Sequence, residues 1–234
     1  TAEVRARPNL TILPGTTVRA LSFEGTRCVG AELDRDGVRH QVAATEVVLS
    51  AGALHSPELL LRAGIGPAGA LRDVGVTPLA DLPGVGANLH DHPAVAIGAV
   101  LSPAARQPTS LRAAANMALR LRPEGGQDGD VYIAVANKTS WHALGQRLGG
   151  MIVSVFRPLS RGRLSLSRGV DGLVAQRDFD MLSDPADMDR MVWAYRHAAA
   201  LIAAPETRGL VQEAFPAAFS ERVRALNRAG TRNA

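Results

Sequence analysis

The chain of 234 residues is 46% hydrophobic with a formal charge of +4, long and apolar enough for one large core or two small ones. Its basic residues are scattered and almost all arginine, Lys138 being the single lysine, and aromatic residues make up only 4%; this argues against nucleic-acid binding through a base-stacking platform. The single cysteine, Cys28, excludes an internal disulfide and a cysteine-based zinc site and fits a reducing, cytoplasmic compartment.

Leu10 to Leu13 reads as a short apolar strand stopped by Pro14 and Gly15. Val18–Phe23, Cys28–Leu33 and Val38–Val42 follow as strand-like runs separated by Glu24-Gly25 and Asp36-Gly37. Asp-Gly between alternating runs is a hairpin signal, because both central residues of the turn need positive φ. The three runs therefore predict an antiparallel meander. It leads into Val47, Val48 and Leu49, an unbroken apolar run of the kind found in a strand buried on both faces of a parallel sheet. On this reading the meander is a crossover between two strands of a main sheet.

Ser50, Ala51 and Gly52 then end that strand with residues small enough for a ligand to approach the backbone, which is where ligands of open α/β sheets sit. Ser56 suits a helix N-cap, Pro57 the first helical position, and Glu58 the positive end of the helix dipole. Leu59, Leu60 and Ala63 supply a buried stripe, Gly64 a left-handed cap, and Pro67 prevents resumption. His55, Pro57 and Arg62 interrupt the best apolar run, so no membrane span is expected. Gly64 to Gly69 literally fits G-x-G-x-x-G, but a helix precedes it and Pro67 has no N–H to offer a pyrophosphate, so it reads as a cap and turn.

Leu71 to Leu82 continues as a short helix and a strand, and Pro83 to Gly86 forms a turn. His90 and His92 flank Asp91, yet two imidazoles two residues apart on a strand point to opposite sides and no further ligand is near; a hydrogen-bonded turn is expected there, and no metal. Beyond it, Val95–Leu101 reads as a strand, Ser110–Leu121 as an amphipathic helix ended by Pro123, and Gly125–Gly129 as a loop. Val131–Ala136, Met151–Phe156 and Arg163–Ser167 suggest an antiparallel sheet. Asp184 then caps a long helix with Pro185 at its first position and Asp187 in its first turn. Met188, Met191, Val192, Tyr195, Ala199 and Ile202 form its apolar stripe, and Pro205 ends it. Phe219, Val223 and Leu226 suggest one more helix. No G-x-S-x-G elbow, phosphate-binding G-x-x-x-x-G-K-[ST] loop or His-Glu-x-x-His occurs, so hydrolase, nucleotide-hydrolysing and zinc-protease readings lack their residues.

Gly52, Ala53, Ser56, Pro57, Leu59, Leu60, Gly64, Ile65 and Gly66 together resemble the second signature of the glucose-methanol-choline (GMC) flavin oxidoreductases. Ala63 departs from it, standing where the family usually has serine. Gly86-Ala87-Asn88-Leu89-His90-Asp91-His92 is similar to the family's Gly-x-Asn-Leu-x-Asp-His, where the chain leaves the flavin domain, and Pro158 to Gly162 is similar to a turn of its substrate domain. The resemblance is specific over Pro8 to Pro93 and diffuse thereafter. It implies an α/β (α+β) chain: residues 1–93 as part of an FAD-binding, Rossmann-like domain with an antiparallel meander crossover, and 94–234 as most of an antiparallel-sheet substrate domain with helices on one face.

The same resemblance implies FAD as cofactor, with the backbone of Val18 at its adenine and Ser50, Ala51, Gly52 and Ser56 at the strand end beside it. It implies oxidation of a small-molecule alcohol to an aldehyde or ketone by hydride transfer to the flavin. The family's His-Pro-x-Gly-type catalytic segment has no match here, so no catalytic residue is assigned, and the dinucleotide fingerprint is expected before Thr1. On those grounds the chain alone is expected to be inactive. The alternative is a non-catalytic nucleotide- or protein-binding remnant of such a fold.

Overall fold

A strand forms only where a neighbour completes its ladder, and the first element to meet that condition is the meander. The computed structural model describes residues 2–124 and 126–217. A short helix α1 (Ala2–Arg5) precedes β1 (Thr16–Glu24), β2 (Arg27–Arg35) and β3 (Val38–Ala43), which pair in the antiparallel order β1-β2-β3. Asp36 and Gly37 adopt φ of 54° and 81°, as the sequence expects of this turn. Leu10–Leu13 and Val47–Leu49, both predicted as strands, are not strands. No described strand pairs with either, and Val48 is 77% exposed. An apolar run without a partner leaves its N–H and C=O groups to water, whatever its composition.

Helix α2 (Gly52–Arg62) begins four residues before the predicted Ser56, and Pro57 lies inside it. Leu61 is its buried residue, with Leu54 packed beside it, while Leu59 and Leu60 are half-buried. The start at Gly52 thus turns the helix away from the predicted stripe. Gly64 closes it at φ 83°, and a Cβ there would lie 2.4 Å from the Thr77 carbonyl oxygen. Gly64→Ala is expected to cost more than about 2 kcal/mol, since left-handed backbone alone costs a side chain about 1–2 kcal/mol. Denaturant unfolding of the intact protein checks this, and wild-type stability in the variant contradicts it.

Next come β4 (Ile65–Gly66), α3 (Ala68–Asp73) and β5 (Ala80–Asp81), with β4 and β5 forming the only parallel pair of strands among the described residues. The chain then builds β6 (Ala94–Leu101), β7 (Ala115–Leu121), β8 (Val131–Ala136) and β9 (Leu148–Val155). The hairpin β10 (Arg163–Gly169) and β11 (Gly172–Asp178) follows, then α4 (Pro185–Ala203) and β12 (Val211–Ala217). Two compact units result: Thr1–Leu89 with Gly162–Phe179, and His90–Arg161 with Asp180–Ala234.

In the first unit Leu61, Leu71, Leu89, Leu164 and Leu166 make the core. Arg163–Ser167, predicted in the larger sheet, is β10, which among the described residues pairs with β11 alone. Leu164 donates its N–H to the Gly86 carbonyl (2.7 Å), and Arg62 reaches the Leu173 carbonyl (2.9 Å), so the hairpin and α2 are tied together.

The second unit holds a five-stranded antiparallel sheet in the order β12-β6-β9-β8-β7. Ile97, Val131, Ile133, Val153 and Val155 face α4 and bury Met191, Ala194 and Ala198. Two expectations change here. The predicted helix Ser110–Leu121 is in part strand β7, because alternation places Leu119 and Leu121 against the core, and sheet pairing overrides a helix-favouring composition. The buried stripe of α4 is Asp187, Met191, Ala194 and Ala198, whereas Met188 and Val192 are 43% and 39% exposed. The helix start is as read: Asp184 accepts from the Ala186 N–H at 2.8 Å and Pro185 holds the first position. The helix expected at Phe219, Val223 and Leu226 lies outside the described residues.

Candidate functional site

Ser50, Ala51, Gly52 and Ala53 lie exposed at the start of α2. Gly52 sits at φ 84°, and apart from its own chain neighbours and the backbone of its helix no heavy atom lies within 4 Å of where its Cβ would stand. A side chain is strained there by conformation while the space in front of the backbone is open, a combination that suits close approach of a ligand. No side chain caps the helix and no acidic residue stands in its first turn. Its positive end is therefore offered outward, a setting that favours an anion.

Ser56 does something other than the predicted capping. Its Oγ accepts the Ala51 N–H at 2.9 Å, folding the second helical turn back onto the residue before the helix. The structure thus joins Ser50, Ala51, Gly52 and Ser56 into one corner. Glu58, predicted to complement the dipole, instead lies 2.9 Å from Arg62, 3.4 Å from His55 Nδ1 and 3.7 Å from Arg177.

Val18 lies on β1, which packs against α2 and forms one edge of the meander, paired among the described residues with β2 on one side only. The pairing jumps from Val18↔Leu33 to Ala20↔Glu32, leaving Arg19 as the extra residue of a bulge. Arg19 donates twice to Asp34 (3.1 and 2.9 Å). That hydrogen bond, opposed by desolvation and aided by the Gly37 N–H, holds the Asp34 carboxyl below its ordinary pKa. The backbone of Val18 is thus presented on an open strand edge with its local geometry pinned.

His90, Asp91 and His92 do not converge. Asp91 Oδ1 accepts the His92 N–H at 2.8 Å, while the His92 ring stacks on Phe156 at 4.4 Å between centroids. Among the described residues no group of three or more His, Cys, Asp or Glu side chains is placed to hold a metal ion. No described helix is long and apolar enough to cross a membrane. Sequence reasoning missed the Ala51–Ser56 bond and the positive φ of Gly52; the adjacent small residues were the only signal for either.

A family model described as GMC oxidoreductase matches residues 2–94. The chain is 36% identical over 208 residues to a 5-(hydroxymethyl)furfural oxidase of Methylovorus sp. (strain MP688), across 87% of this chain and 38% of that protein. It is 44% identical over 112 residues to a mitochondrial choline dehydrogenase of Mus musculus, across 47% of this chain and 18% of that protein. The crystal structure of pyridoxine 4-oxidase from Mesorbium loti matches with a TM-score of 0.77 at 27% identity, over 97% of this chain and 46% of that one. The chain thus spans less than half the length of each of these relatives.

Proposed function

This chain belongs to the GMC oxidoreductase family, and on that premise we propose that the protein is an FAD-dependent oxidoreductase converting the CH–OH group of a small alcohol to an aldehyde or ketone. The observation that carries the reading is the open corner at Ser50–Gly52, with its positive-φ glycine and uncapped helix start, lying where the family signature falls. Bound FAD supplies the acceptor for the hydride that leaves the alcohol carbon. The chain's own residues bind and orient. Gly52 lets the cofactor approach the backbone, and the first turn of α2 offers N–H donors and a positive dipole end to a negatively charged group. The open edge of β1 at Val18 offers backbone groups to the adenine, and Ser56 holds the corner in shape through Ala51.

Oxidation also needs a base within hydrogen-bond reach of the hydroxyl proton, and no side chain of this chain is assigned to it. The relatives' names point to the substrate class: 5-(hydroxymethyl)furfural, choline and pyridoxine all carry a primary hydroxyl. The test is anaerobic mixing of the intact protein with these three alcohols while following oxidised-flavin absorbance. Bleaching by at least one of them, with release of the aldehyde, is the expected result. Bound flavin that no alcohol reduces contradicts the reading.

A further inference from the structure

Two loops meet at one end of the five-stranded sheet: residues 102–114 between β6 and β7, and residues 137–147 between β8 and β9. This is the end opposite the one at which the chain enters the second unit at His90 and leaves it at Arg161. The loops are bonded to each other: Asn137 donates its N–H to the Ala114 carbonyl at 2.9 Å, and the Lys138 ammonium donates to the Leu111 carbonyl. Lys138 is buried, and its Nζ stands 5.9 Å from the centre of the Trp141 ring.

The 137–147 loop is also closed by its own contacts. Thr139 donates its N–H to the Gly145 carbonyl (2.9 Å), Gly145 donates its N–H to His142 Nδ1 (3.1 Å), and the Gln146 amide donates to the Trp141 carbonyl (2.6 Å). A loop pinned in this way holds apolar side chains outward. Trp141 is 58% exposed, Leu144 54%, and Leu111 of the facing loop 41%. A cluster of large apolar side chains kept at the surface marks a place that something else covers.

Charge decides what covers it. Residues 94–123 and 131–159 contain no aspartate or glutamate, and the two loops supply Arg106, Arg112, Lys138 and Arg147. Arg112 and Arg147 are exposed and pair with no carboxylate among the described residues. Glu206 and Glu213, before and on β12, belong to the opposite edge of the sheet, four strand spacings or about 19 Å from β7. A face of one sign of charge repels a second copy presenting the same face, and a single exposed tryptophan makes no stacking row for nucleic acid. It suits an anionic bilayer, where tryptophan settles at the headgroup level, leucine enters the acyl boundary and arginine stays among the phosphates.

We propose that this end of the sheet is a peripheral docking surface for an anionic lipid membrane, seated by Trp141, Leu144 and Leu111 and held by Arg112 and Arg147. The contact is to one leaflet and needs no spanning helix. It is independent of the alcohol-oxidation reading and adds to it where the protein works.

The test is flotation of the intact protein with phosphatidylcholine vesicles, with and without phosphatidylserine, the folding of each variant being checked by its unfolding midpoint. Wild type is expected to bind the phosphatidylserine vesicles about tenfold or more tighter than the neutral ones, since each basic residue near an anionic surface contributes about fivefold. Salt releases it. Arg112→Gln combined with Arg147→Gln removes the preference, and Trp141→Ser weakens binding to the anionic vesicles about tenfold or more, the usual effect of losing a buried aromatic side chain. Brominated phosphatidylcholine in those vesicles quenches wild-type emission and quenches Trp141→Phe far less, because Trp193 packs against the core. Equal binding to neutral and anionic vesicles, binding to neither, or wild-type binding by the double-arginine variant or by Trp141→Ser would each overturn the proposal. A wild-type dimer that Trp141→Ser dissolves in sedimentation equilibrium, or binding of polyglutamate without binding of vesicles, overturns it as well and assigns the face to a second copy or to an acidic protein.

Discussion

Asp187→Ala is expected to destabilise the second unit by about 3–5 kcal/mol, the usual size for stranding the partners of a buried charge. Asp187 is fully buried at the start of α4. Its carboxylate accepts the Leu159 N–H at 2.9 Å, the Ser160 N–H at 2.7 Å and the Ser160 hydroxyl at 2.5 Å, and it pairs with Arg190. Ser160 Oγ in turn accepts the Asp184 N–H at 3.0 Å, and Arg190 lies 3.3 Å from the buried Asp130. Removing the carboxylate therefore leaves two backbone N–H groups and the Ser160 hydroxyl without their acceptor, takes from Arg190 one of its two carboxylates, and frees the Pro158–Ser160 turn from the helix.

The acid dependence follows from the same contacts. Burial works to raise the pKa of Asp187, but the donors from Leu159, Ser160 and Arg190 outweigh it and hold the folded value below the ordinary one. A depressed folded pKa contributes stability that is fully present above the unfolded value, about 3.9 for Asp, and lost as pH falls through the folded value. Wild-type stability is thus expected to drop below about pH 4. Asp187→Asn, weaker at neutral pH, should show a smaller drop. Denaturation midpoints at pH 7 and pH 3 give the comparison, and an undiminished acid loss in Asp187→Asn contradicts this role.

Asp187 also marks what sequence could reveal. Asp184 and Pro185 announced a helix start through chemistry local to three residues, and Asp36-Gly37 announced a turn through the φ values it requires. Asp187 looked like an ordinary first-turn acid, because the turn that buries it lies 27 and 28 positions upstream. Val47–Leu49 looked like a buried strand, yet a strand is made by its neighbours and none is supplied by the described residues. Ala115–Leu121 looked helical because alanine, leucine, methionine and arginine favour helix in isolation, and an edge pairing with β8 overrode them. The corner at Ser50–Gly52 was legible as small residues in a signature, but the geometry that makes it useful was not. The stacked rings of His92, Tyr132 and Phe156 are drawn together only by sheet register.

Gly52→Val is expected to empty the cofactor site. The residue sits at φ 84° in front of open space, so a branched side chain meets two obstacles at different times. Without cofactor it bears the strain of left-handed backbone, of order 1–3 kcal/mol, which an otherwise stable unit survives. With cofactor its methyl groups occupy the space against the backbone that the proposed site requires. Ser56→Ala, which only frees the Ala51 N–H, should weaken flavin retention less. The most direct measurement is the ratio of flavin absorbance to folded protein, with folding judged independently by far-ultraviolet circular dichroism and the unfolding midpoint. The account predicts about one FAD per intact wild-type protein and a loss of about tenfold or more in folded Gly52→Val, since each 1.4 kcal/mol of lost binding is a factor of ten. A folded Gly52→Val protein that keeps stoichiometric flavin would contradict it.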